Sequence, residues 1–353
     1  MVAAIALVLA LLVSDHDQPP RTQIAHRCSI VATPSNAQSV LSSAFSGQVV
    51  CLASGTYGIL TFMHPGITLT AVPPLAAHVA GINLNGQSNS TVTQLDSDGS
   101  LPNAFIWGIV STGGSHFTIT GNTVENFKAG GITFVAADHV LIQHNIVTGN
   151  AAVWPGSASG ISIFRNIASD AAPGWHNIIS YNECFGNCNP PGGTDGNGII
   201  VDDFDAKAYS YPTLVEENLT WSNCSAGIKV YKSPNVTIRN NTNWQNQTRT
   251  INSFNWRGEI SLEYSRNAVV INNIDCPNPA FNPDNTALLN QGTDTIALAN
   301  IDCTRLNPLL VKPPTNLHLQ AGSPAMHAGI TTYGIPVTNF DGATITVPNI
   351  GAY

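Results

Sequence analysis

Residues suited to proton transfer gather between positions 195 and 264 of a chain that carries few charges elsewhere. Only 10% of its 353 residues are charged, whereas about a quarter is usual in globular proteins. The adjacent carboxylates Asp202 and Asp203 are followed by Lys229, and then by Glu259 and Glu263. Carboxylates and lysines exchange protons with a substrate when their pKa values are shifted towards neutrality. We therefore predict that these five residues carry acid–base catalysis.

Cationic and aromatic side chains accompany these acids. Arg165, Tyr231, Lys232 and Tyr264 adjoin them, and Trp256 lies in a nearby insertion. An aromatic ring offers a flat apolar face on which a sugar ring can stack. A local row of basic side chains attracts an anionic chain even when the whole protein is acidic. We therefore predict that these five residues bind an acidic, uronate-containing polysaccharide.

Three functions fit these residues. A lyase removes the C5 proton beside a uronate carboxylate, with Lys229 as the base and Ca²⁺ neutralising the carboxylate. The oxygen ligands that we predict for calcium are Asp195, Asp202, Asp203 and Asp205. An inverting hydrolase instead needs two carboxyl groups roughly 6.5–9.5 Å apart, such as Asp202 or Asp203 with Asp195 or Glu263. A non-catalytic carbohydrate-binding protein or adhesin needs neither arrangement. Of the three, we place the lyase first.

A repeat of variable length must position these side chains. An apolar-alternating phrase ends in asparagine at positions 122, 145, 182, 218, 241, 273 and 300, with steps of 23, 37, 36, 23, 32 and 27 residues. Helical arrays keep a nearly fixed period, whereas here short strands are constant and connections vary. This pattern predicts an all-β fold, a right-handed parallel β-helix, with insertions at its corners and stacked asparagines along its axis. The apolar spacing over Asn36–Phe45 predicts a helix that caps the first coil.

A second phrase, in which Gly or Glu precedes Ile, sets the register of the strands. It begins at Gly160, Gly198, Gly227 and Glu259. Because side chains alternate along a strand, the residues that should point outward are Phe164 and Arg165 on one coil, then Ile200, Asp202 and Asp203, then Lys229, Tyr231 and Lys232, and then Ser261, Glu263 and Tyr264. The predicted catalytic and binding residues thus lie on neighbouring rungs of one face.

Cysteines and the N-terminal segment indicate export. Coils rise about 4.8 Å each, so cysteines at equal offsets from successive ladder asparagines stack within disulfide range. On that basis we expect disulfides 188–224 and 276–303. We also pair Cys28 with Cys51, which flank the first predicted helix and strand, and leave Cys184 free. Residues 2–13 form an apolar run of the length of a signal-peptide core. We therefore divide the chain into a signal-like segment with its linker, 1–27, and a secreted β-helix domain, 28–353.

Composition excludes other classes of protein. The net charge is −8, and 36 asparagines slightly exceed the 34 charged side chains. No basic face is available to displace counterions from phosphate, so we expect no nucleic-acid partner. No apolar run reaches the roughly 20 residues of a spanning helix, so we expect no membrane span. We expect a monomer.

Both ends of the sequence resemble secreted pectate-lyase-like β-helix proteins. Ser35-Asn-Ala-Gln-Ser-Val-Leu running to Val50-Cys-Leu-Ala-Ser-Gly-Thr-Tyr57 resembles their opening. The tail Ala321-Gly-Ser-Pro-Ala-Met-His-Ala-Gly329, with Asp341-Gly and Asn349-Ile-Gly-Ala-Tyr353, resembles their closing segment, although His327 and Asn349 stand where an acid is usual. The resemblance implies the same fold and a carbohydrate-directed function.

A shorter motif is similar to one in family-nine polysaccharide lyases. Asp195-Gly-Asn-Gly-Ile-Ile200 resembles their Asp-Gly-Asn-Gly stretch, in which the catalytic lysine follows two residues after the second glycine. In this chain that position is Ile200, and the nearest lysine is Lys229, one coil later. The motif supports a lyase but leaves its base to be identified from the structure.

Overall fold

The computed structural model describes residues 27–153, 158–189, 195–249, 258–281 and 286–353. In these residues the chain forms one α-helix, α1 (Ala37–Ser43), one 3₁₀ helix (Phe204–Lys207) and thirty strands. The strands are β1 (Ile30–Ala32), β2 (Val49–Tyr57), β3 (Leu60–Thr61), β4 (Thr68–Val79), β5 (Ile82–Asn83), β6 (Thr91–Thr93), β7 (Asp96–Asp98), β8 (Ile109–Thr112), β9 (Ser115–Thr120), β10 (Thr123–Glu125), β11 (Ile132–Val135), β12 (Asp138–Gln143), β13 (Ile146–Thr148), β14 (Ile161–Phe164), β15 (Asn177–Ser180), β16 (Glu183–Phe185), β17 (Ile199–Asp202), β18 (Thr213–Glu216), β19 (Leu219–Trp221), β20 (Ile228–Tyr231), β21 (Val236–Arg239), β22 (Thr242–Trp244), β23 (Ile260–Arg266), β24 (Val269–Ile271), β25 (Ile274–Cys276), β26 (Leu288–Thr293), β27 (Ile296–Leu298), β28 (Ile301–Asp302), β29 (Leu310–Lys312) and β30 (Asn316–Leu319).

Parallel strands form a nine-stranded and a nineteen-stranded sheet, and the larger one divides beyond β4 into two stacks that we call the second and third sheets. The first sheet contains β3, β5, β8, β11, β14, β17, β20, β23 and β26. The second contains β6, β9, β12, β15, β18, β21, β24 and β27, and the third contains β7, β10, β13, β16, β19, β22, β25 and β28. The long strand β4 pairs with both β6 and β7 and so joins the second and third sheets. The predicted right-handed parallel β-helix is confirmed.

Rows of apolar side chains fill the interior of the helix. In the first sheet one row contains Ile161, Ile199, Ile228 and Ile260, and the next contains Ile163, Val201, Val230 and Leu262. All of these side chains are fully buried. β-Branched residues favour the extended backbone and pack well on a pleated surface. Burial of apolar area, at about 25 cal/mol per Å², is the main term that stabilises each coil.

Two asparagine ladders hold successive coils together. In the first ladder both the backbone N–H and the Nδ2 group of Asn145 donate to Oδ1 of Asn182, at 3.1 and 3.0 Å, and the same pair of bonds recurs from Asn122 to Asn300. A second ladder runs through Asn150, Asn187, Asn223 and Asn246. The left-handed turn residue is the one before each ladder asparagine, as at His144 and Tyr181. Because the preceding residue adopts the turn conformation, the side-chain amide of each ladder asparagine can hydrogen-bond to the next coil.

A helix covers the first coil of the solenoid, and the C-terminal tail packs along its side. As predicted, α1 plugs the first coil, with Ala37 and Leu41 buried, although Phe45 in the predicted range is 65% exposed. The tail, including the antiparallel pair β29–β30, folds back over the corner between the second and third sheets. There Arg239 Nη1 donates to the carbonyl of Tyr333 at 3.0 Å. The tail also buries the side chains of Phe340 and Ile350.

The predicted disulfide pattern is confirmed. Cys28–Cys51, Cys188–Cys224 and Cys276–Cys303 are bonded, with Cα atoms 5.6, 4.8 and 4.7 Å apart, and Cys184 is free and buried. Equal offsets from the ladder asparagines account for the last two pairs. In the described part of the chain, none of the helices has the length and apolar character to cross a membrane. The signal-like segment lies outside the described residues, except for Arg27.

Candidate active site

The strand register brings the predicted residues onto one outward face of the first sheet. One row across β14, β17, β20 and β23 contains Ser162, Ile200, Lys229 and Ser261, and the adjacent row contains Phe164, Asp202, Tyr231 and Glu263. Both rows match the predicted register. Lys229 and Asp202 consequently lie on adjacent rungs, which parallel strands hold about 4.8 Å apart.

A row of residues directly after β14, β17 and β20, and at the bulge within β23, forms the rim of the face. Arg165, Asp203, Lys232 and Tyr264 all have positive φ, at 51°, 53°, 44° and 52°. This left-handed conformation is uncommon for residues other than glycine, and here it ends three strands and interrupts the fourth at the same level. Nε of Arg165 donates to Oδ2 of Asp203 at 2.7 Å. Asp203 is thus held by an arginine of the neighbouring coil.

Four charged side chains form what we call the Lys229 cluster: Asp195, Asp202, Lys229 and Glu263. Lys229 is only 2% exposed, and its Nζ lies 3.6 Å from Oε1 of Glu263. The same Glu263 oxygen accepts a hydrogen bond from Oγ of Ser261 at 3.0 Å. Asp195 and Glu263 are buried, whereas Asp202 is partly exposed and faces the rim. The structure therefore surrounds one buried lysine with three acids.

Burial dominates the protonation of this cluster. It lowers the pKa of Lys229, although the charges of Asp195, Glu263 and Asp202 each act to raise it. Burial also raises the pKa of Asp202 to about 7, and the charge of Asp195 adds to the shift. The pKa values of Asp195 and Glu263 are raised for the same reason, against the charge of Lys229. Acid and base pKa values thus converge towards neutrality, as in many catalytic sites.

The four aspartates predicted to bind calcium do not assemble around one point. Asp203 is paired with Arg165, and Asp205 accepts a hydrogen bond from Nη1 of Arg266 at 2.6 Å. Among the described residues, two groups of three side chains bring possible ligand atoms within 4.8 Å of one another. Both groups contain His139, and neither includes any of these four aspartates. The predicted ligand set does not fit calcium in this arrangement. Calcium binding stays a prediction.

Glu259, which we predicted to be catalytic, lies outside the Lys229 cluster. It lies beyond the end of the second asparagine ladder, where its Oε2 accepts a hydrogen bond from Nδ2 of Asn246 at 2.6 Å. The backbone N–H of Asn246 donates to Oε1 at 3.1 Å. Burial raises the pKa of Glu259 to about 8. Its carboxyl group therefore replaces a ladder amide, and we assign it to the scaffold.

Aromatic and basic side chains line the rim beside the cluster. Nζ of Lys232 lies 4.9 Å from the ring centroid of Tyr231, and the rings of Tyr231 and Tyr264 meet edge to face at 6.0 Å. Tyr264 is 63% exposed and Arg165 is also exposed. These four predicted binding residues thus lie together and offer aromatic and cationic contacts to a ligand. Trp256, the fifth, lies outside the described residues.

A second charged group, which contains none of the residues predicted for catalysis or binding, lies where strands of the second sheet begin. The rings of His116, His139, His176 and Tyr211 stack in a column, with centroid separations of 4.4, 4.0 and 4.0 Å. Buried Asp138 accepts hydrogen bonds from this column and its surroundings. The register pairs Val140 with Phe117 and with Asn177, so the preceding histidines stack. Each histidine comes directly before one of these aligned residues, and this shared position is the sequence signal that could have predicted the column.

No protein-family model matches this sequence, and no curated protein matches it. Solved structures match its fold. The structure is similar to that of pectate lyase Pel9A over 93% of this chain and 97% of the other, with a TM-score of 0.50 and 13% sequence identity. It is also similar to an alginate lyase from Paenibacillus sp. str. FPU-7, over 77% of this chain and 99% of the other, with a TM-score of 0.47 and 14% identity. The predicted resemblance to pectate-lyase-like proteins is confirmed for the fold.

Proposed function

We propose that this protein is a polysaccharide lyase that cleaves an acidic, uronate-containing glycan by β-elimination. The observation that carries the proposal is Lys229, whose pKa is lowered by burial on the outward face although three carboxylates oppose the shift. A lysine with a lowered pKa is more often neutral, and hence basic, at mildly alkaline pH. The fold shared with pectate lyase Pel9A supports a polysaccharide as the substrate.

In the proposed reaction, the bound substrate displaces the side chains that cover Lys229, which is 2% exposed, and neutral Nζ takes the C5 proton of a uronate residue. The electrons of the broken C5–H bond form the C4=C5 double bond, and the C4–O bond to the next sugar breaks. The leaving oxygen takes a proton from water and becomes a new hydroxyl end. Lys229 then returns its proton to solvent, so that atoms and charge balance over one turnover.

The charge on the uronate carboxylate must be offset before the C5 proton becomes acidic. Asp202 suits this task because its pKa of about 7 leaves it protonated in about half of the molecules at neutral pH. A protonated carboxyl group can donate a hydrogen bond to the substrate carboxylate. Arg165 and Lys232 on the rim add positive charge and support binding of an anionic chain.

One observation favours an inverting hydrolase as the second candidate. Asp202, with its pKa raised to about 7, also has the protonation state that a general acid needs. Asp195 or Glu263 would then activate water, as in two-carboxylate glycosidases. This mechanism assigns no proton transfer to Lys229. The lyase therefore requires Lys229 as its base, whereas the hydrolase requires Asp202 as its general acid.

The test is a panel of polyuronates and neutral polysaccharides, followed by ultraviolet absorbance of the unsaturated product and by new reducing ends. A lyase raises both signals, a hydrolase raises only reducing ends, and a carbohydrate-binding protein raises neither. In the lyase, Asp202→Asn keeps a hydrogen-bond donor and should retain most activity. In the hydrolase the same change removes the general acid and should cost about 10²–10⁴-fold.

The proposed place of action is outside the cell. Three disulfides in one chain are typical of proteins that fold in oxidising compartments. Thiol labelling of the protein as isolated from its native host, under denaturing conditions, should detect Cys184 alone. Labelling of all seven cysteines would contradict this localisation.

A further inference from the structure

The histidine column contains side chains that the proposed lyase reaction does not use. His116 lies in β9, His139 lies in β12, and Asp170 lies in the insertion between β14 and β15. One potential ligand atom from each of these residues lies within 4.8 Å of the others. Nε2 of His139 is already 3.0 Å from Oδ1 of Asp170. Three ligands from separate parts of the chain thus converge at one surface.

We propose that His116, His139 and Asp170 form a binding site for a divalent first-row transition-metal ion such as Zn²⁺. Two imidazoles and one carboxylate are a ligand set typical of zinc, which leaves its fourth position to water. Hard cations such as calcium prefer all-oxygen ligands, so an imidazole pair selects against them. His116 and Asp170 are exposed and His139 is partly exposed, so an ion can reach the site from solvent.

A neighbouring buried group shares His139 with this site, but its other two members, Asp138 and His176, already have hydrogen-bond partners. Asp138 accepts hydrogen bonds from Oη of Tyr209 at 2.6 Å and from the N–H of Ser169 at 2.7 Å. It also faces Nδ1 of His176 at 3.0 Å, while the other ring nitrogen of His176 faces the carbonyl of Ala172 at 2.9 Å. Both nitrogens of His176 are therefore engaged, so Asp138 and His176 form a wall behind the metal.

Metal binding requires one defined rearrangement. The rings of His116 and His139 are stacked with an interplanar angle of 17°, so their in-plane lone pairs run side by side and one ion cannot lie in both planes. His116 stands at the exposed end of the column, where its ring can turn about the Cβ–Cγ bond. We expect Zn²⁺ to unstack His116 from His139 while His139 keeps its contact with His176.

The site would fix a segment that adjoins the Lys229 cluster. Asp170 belongs to the insertion that begins directly after Arg165, which lies on the rim of the face that holds the cluster. A metal ion that binds Asp170 together with two strand residues would hold this insertion against the scaffold. Because the ion binds the folded state, it should also raise the thermal stability of the protein.

The test is isothermal titration of tag-free, chelator-treated and desalted full-length protein with Zn²⁺, repeated with Co²⁺ to read coordination from its visible spectrum. We expect one ion per chain and a zinc-dependent rise in melting temperature. His116→Ala and Asp170→Asn should each weaken binding by about tenfold or more, and both are exposed, so the fold should persist. His78→Ala is the matched control. His78 forms an ion pair with Asp96 at the surface, and no second histidine belongs to that pair.

Three results would overturn the proposal. The first is the absence of saturable binding up to millimolar Zn²⁺, and the second is equal affinity in the native protein and both site variants. The third is a zinc-soaked crystal whose anomalous signal lies on other residues. These readouts do not depend on lyase activity, so the metal site and the proposed reaction can fail separately.

Discussion

Two faces of the same coils place a basic residue beside acids, and they do so in opposite ways. On the second sheet, Arg239 is opposite Glu216 in register, with Nε and Nη2 donating to Oε2 at 2.8 and 2.7 Å and Nη1 donating to Tyr333. On the first sheet, Lys229 lies 3.6 Å from Glu263 and is outnumbered by acids.

The difference separates a structural ion pair from a site prepared for chemistry. Two guanidinium nitrogens of Arg239 donate to one oxygen of Glu216 and the third donates to a backbone carbonyl, so each nitrogen has a defined acceptor. Burial raises the pKa of the adjacent Glu217 well above its usual range, so this second acid adds little negative charge to the pair. The acids around Lys229 exceed its single charge, and burial shifts all of their pKa values towards neutrality. Matched partners fix a residue in one protonation state, whereas mismatched partners leave it able to change state.

The largest effect should come from Lys229→Met. Removal of the base should lower kcat for β-elimination by about 10²–10⁴-fold, as measured by the absorbance of unsaturated product. Lys312→Met, at an exposed position outside the site, is the control for loss of a lysine in general. If Lys229→Met turns over at the native rate while circular dichroism shows the same fold, the first face is not the active face.

Arg239→Met should instead cost stability and leave turnover unchanged. It strands the buried Glu216 carboxylate, and loss of one partner of a buried pair typically costs about 3–5 kcal/mol. Urea denaturation measures this loss, and kcat per folded molecule measures turnover. A fall in kcat per folded molecule would show that Arg239 also contributes to turnover, and the proposed difference between the two faces would be wrong.

A smaller, pH-dependent effect should distinguish Glu259 from the acids of the Lys229 cluster. Burial raises the pKa of Glu259 to about 8, so its contribution to stability is complete below its unfolded pKa near 4.3 and is lost as pH rises through about 8. Glu259→Gln continues the amide ladder without a charge. The variant should therefore unfold at higher urea than the native protein at about pH 9, with turnover retained.

Loss of turnover in Glu259→Gln would return this residue to the catalytic set. A matched comparison is available in Glu263→Gln, which alters the cluster itself. We expect that substitution to change the pH dependence of turnover, because Glu263 acts to raise the pKa of Lys229.

The smallest effect should come from chelation of calcium. Asp203 and Asp205 are paired with Arg165 and Arg266, so calcium would have to break two ion pairs to recruit the predicted ligands. We expect EDTA to leave the rate of β-elimination unchanged. A calcium-restored loss of activity would show that the four aspartates rearrange around the ion.

The sequence predicts the register of the site because one rule governs it. Alternation with a period of two, anchored by the Gly-Ile phrase, decides which side of each strand faces out, and it correctly places Asp202, Lys229 and Glu263 on adjacent rungs. Offsets from the ladder asparagines likewise decide which cysteines stack. These features depend on position along a strand and need no knowledge of side-chain rotamers.

The partners of the remaining residues depend on turns that spacing does not describe. Asp203 adopts a left-handed conformation and opens the 3₁₀ helix Phe204–Lys207, which carries Asp205 towards Arg266. Glu259 takes the next place in a ladder that the sequence shows only as asparagines. In both cases the local backbone, rather than the residue type, decides what the carboxylate meets.

The buried ladder amides also constrain how this protein can be produced. Asn218, Asn223 and Asn246 each begin an Asn-x-Ser/Thr sequence, yet each is fully buried, with its Nδ2 hydrogens bonded to the scaffold. A glycan on any of them would replace a hydrogen that bridges coils and would have to be buried in the wall of the solenoid. In a host that glycosylates nascent chains, sugar transfer would compete with coil formation, whereas a bacterial periplasm without that machinery would let the ladders close first.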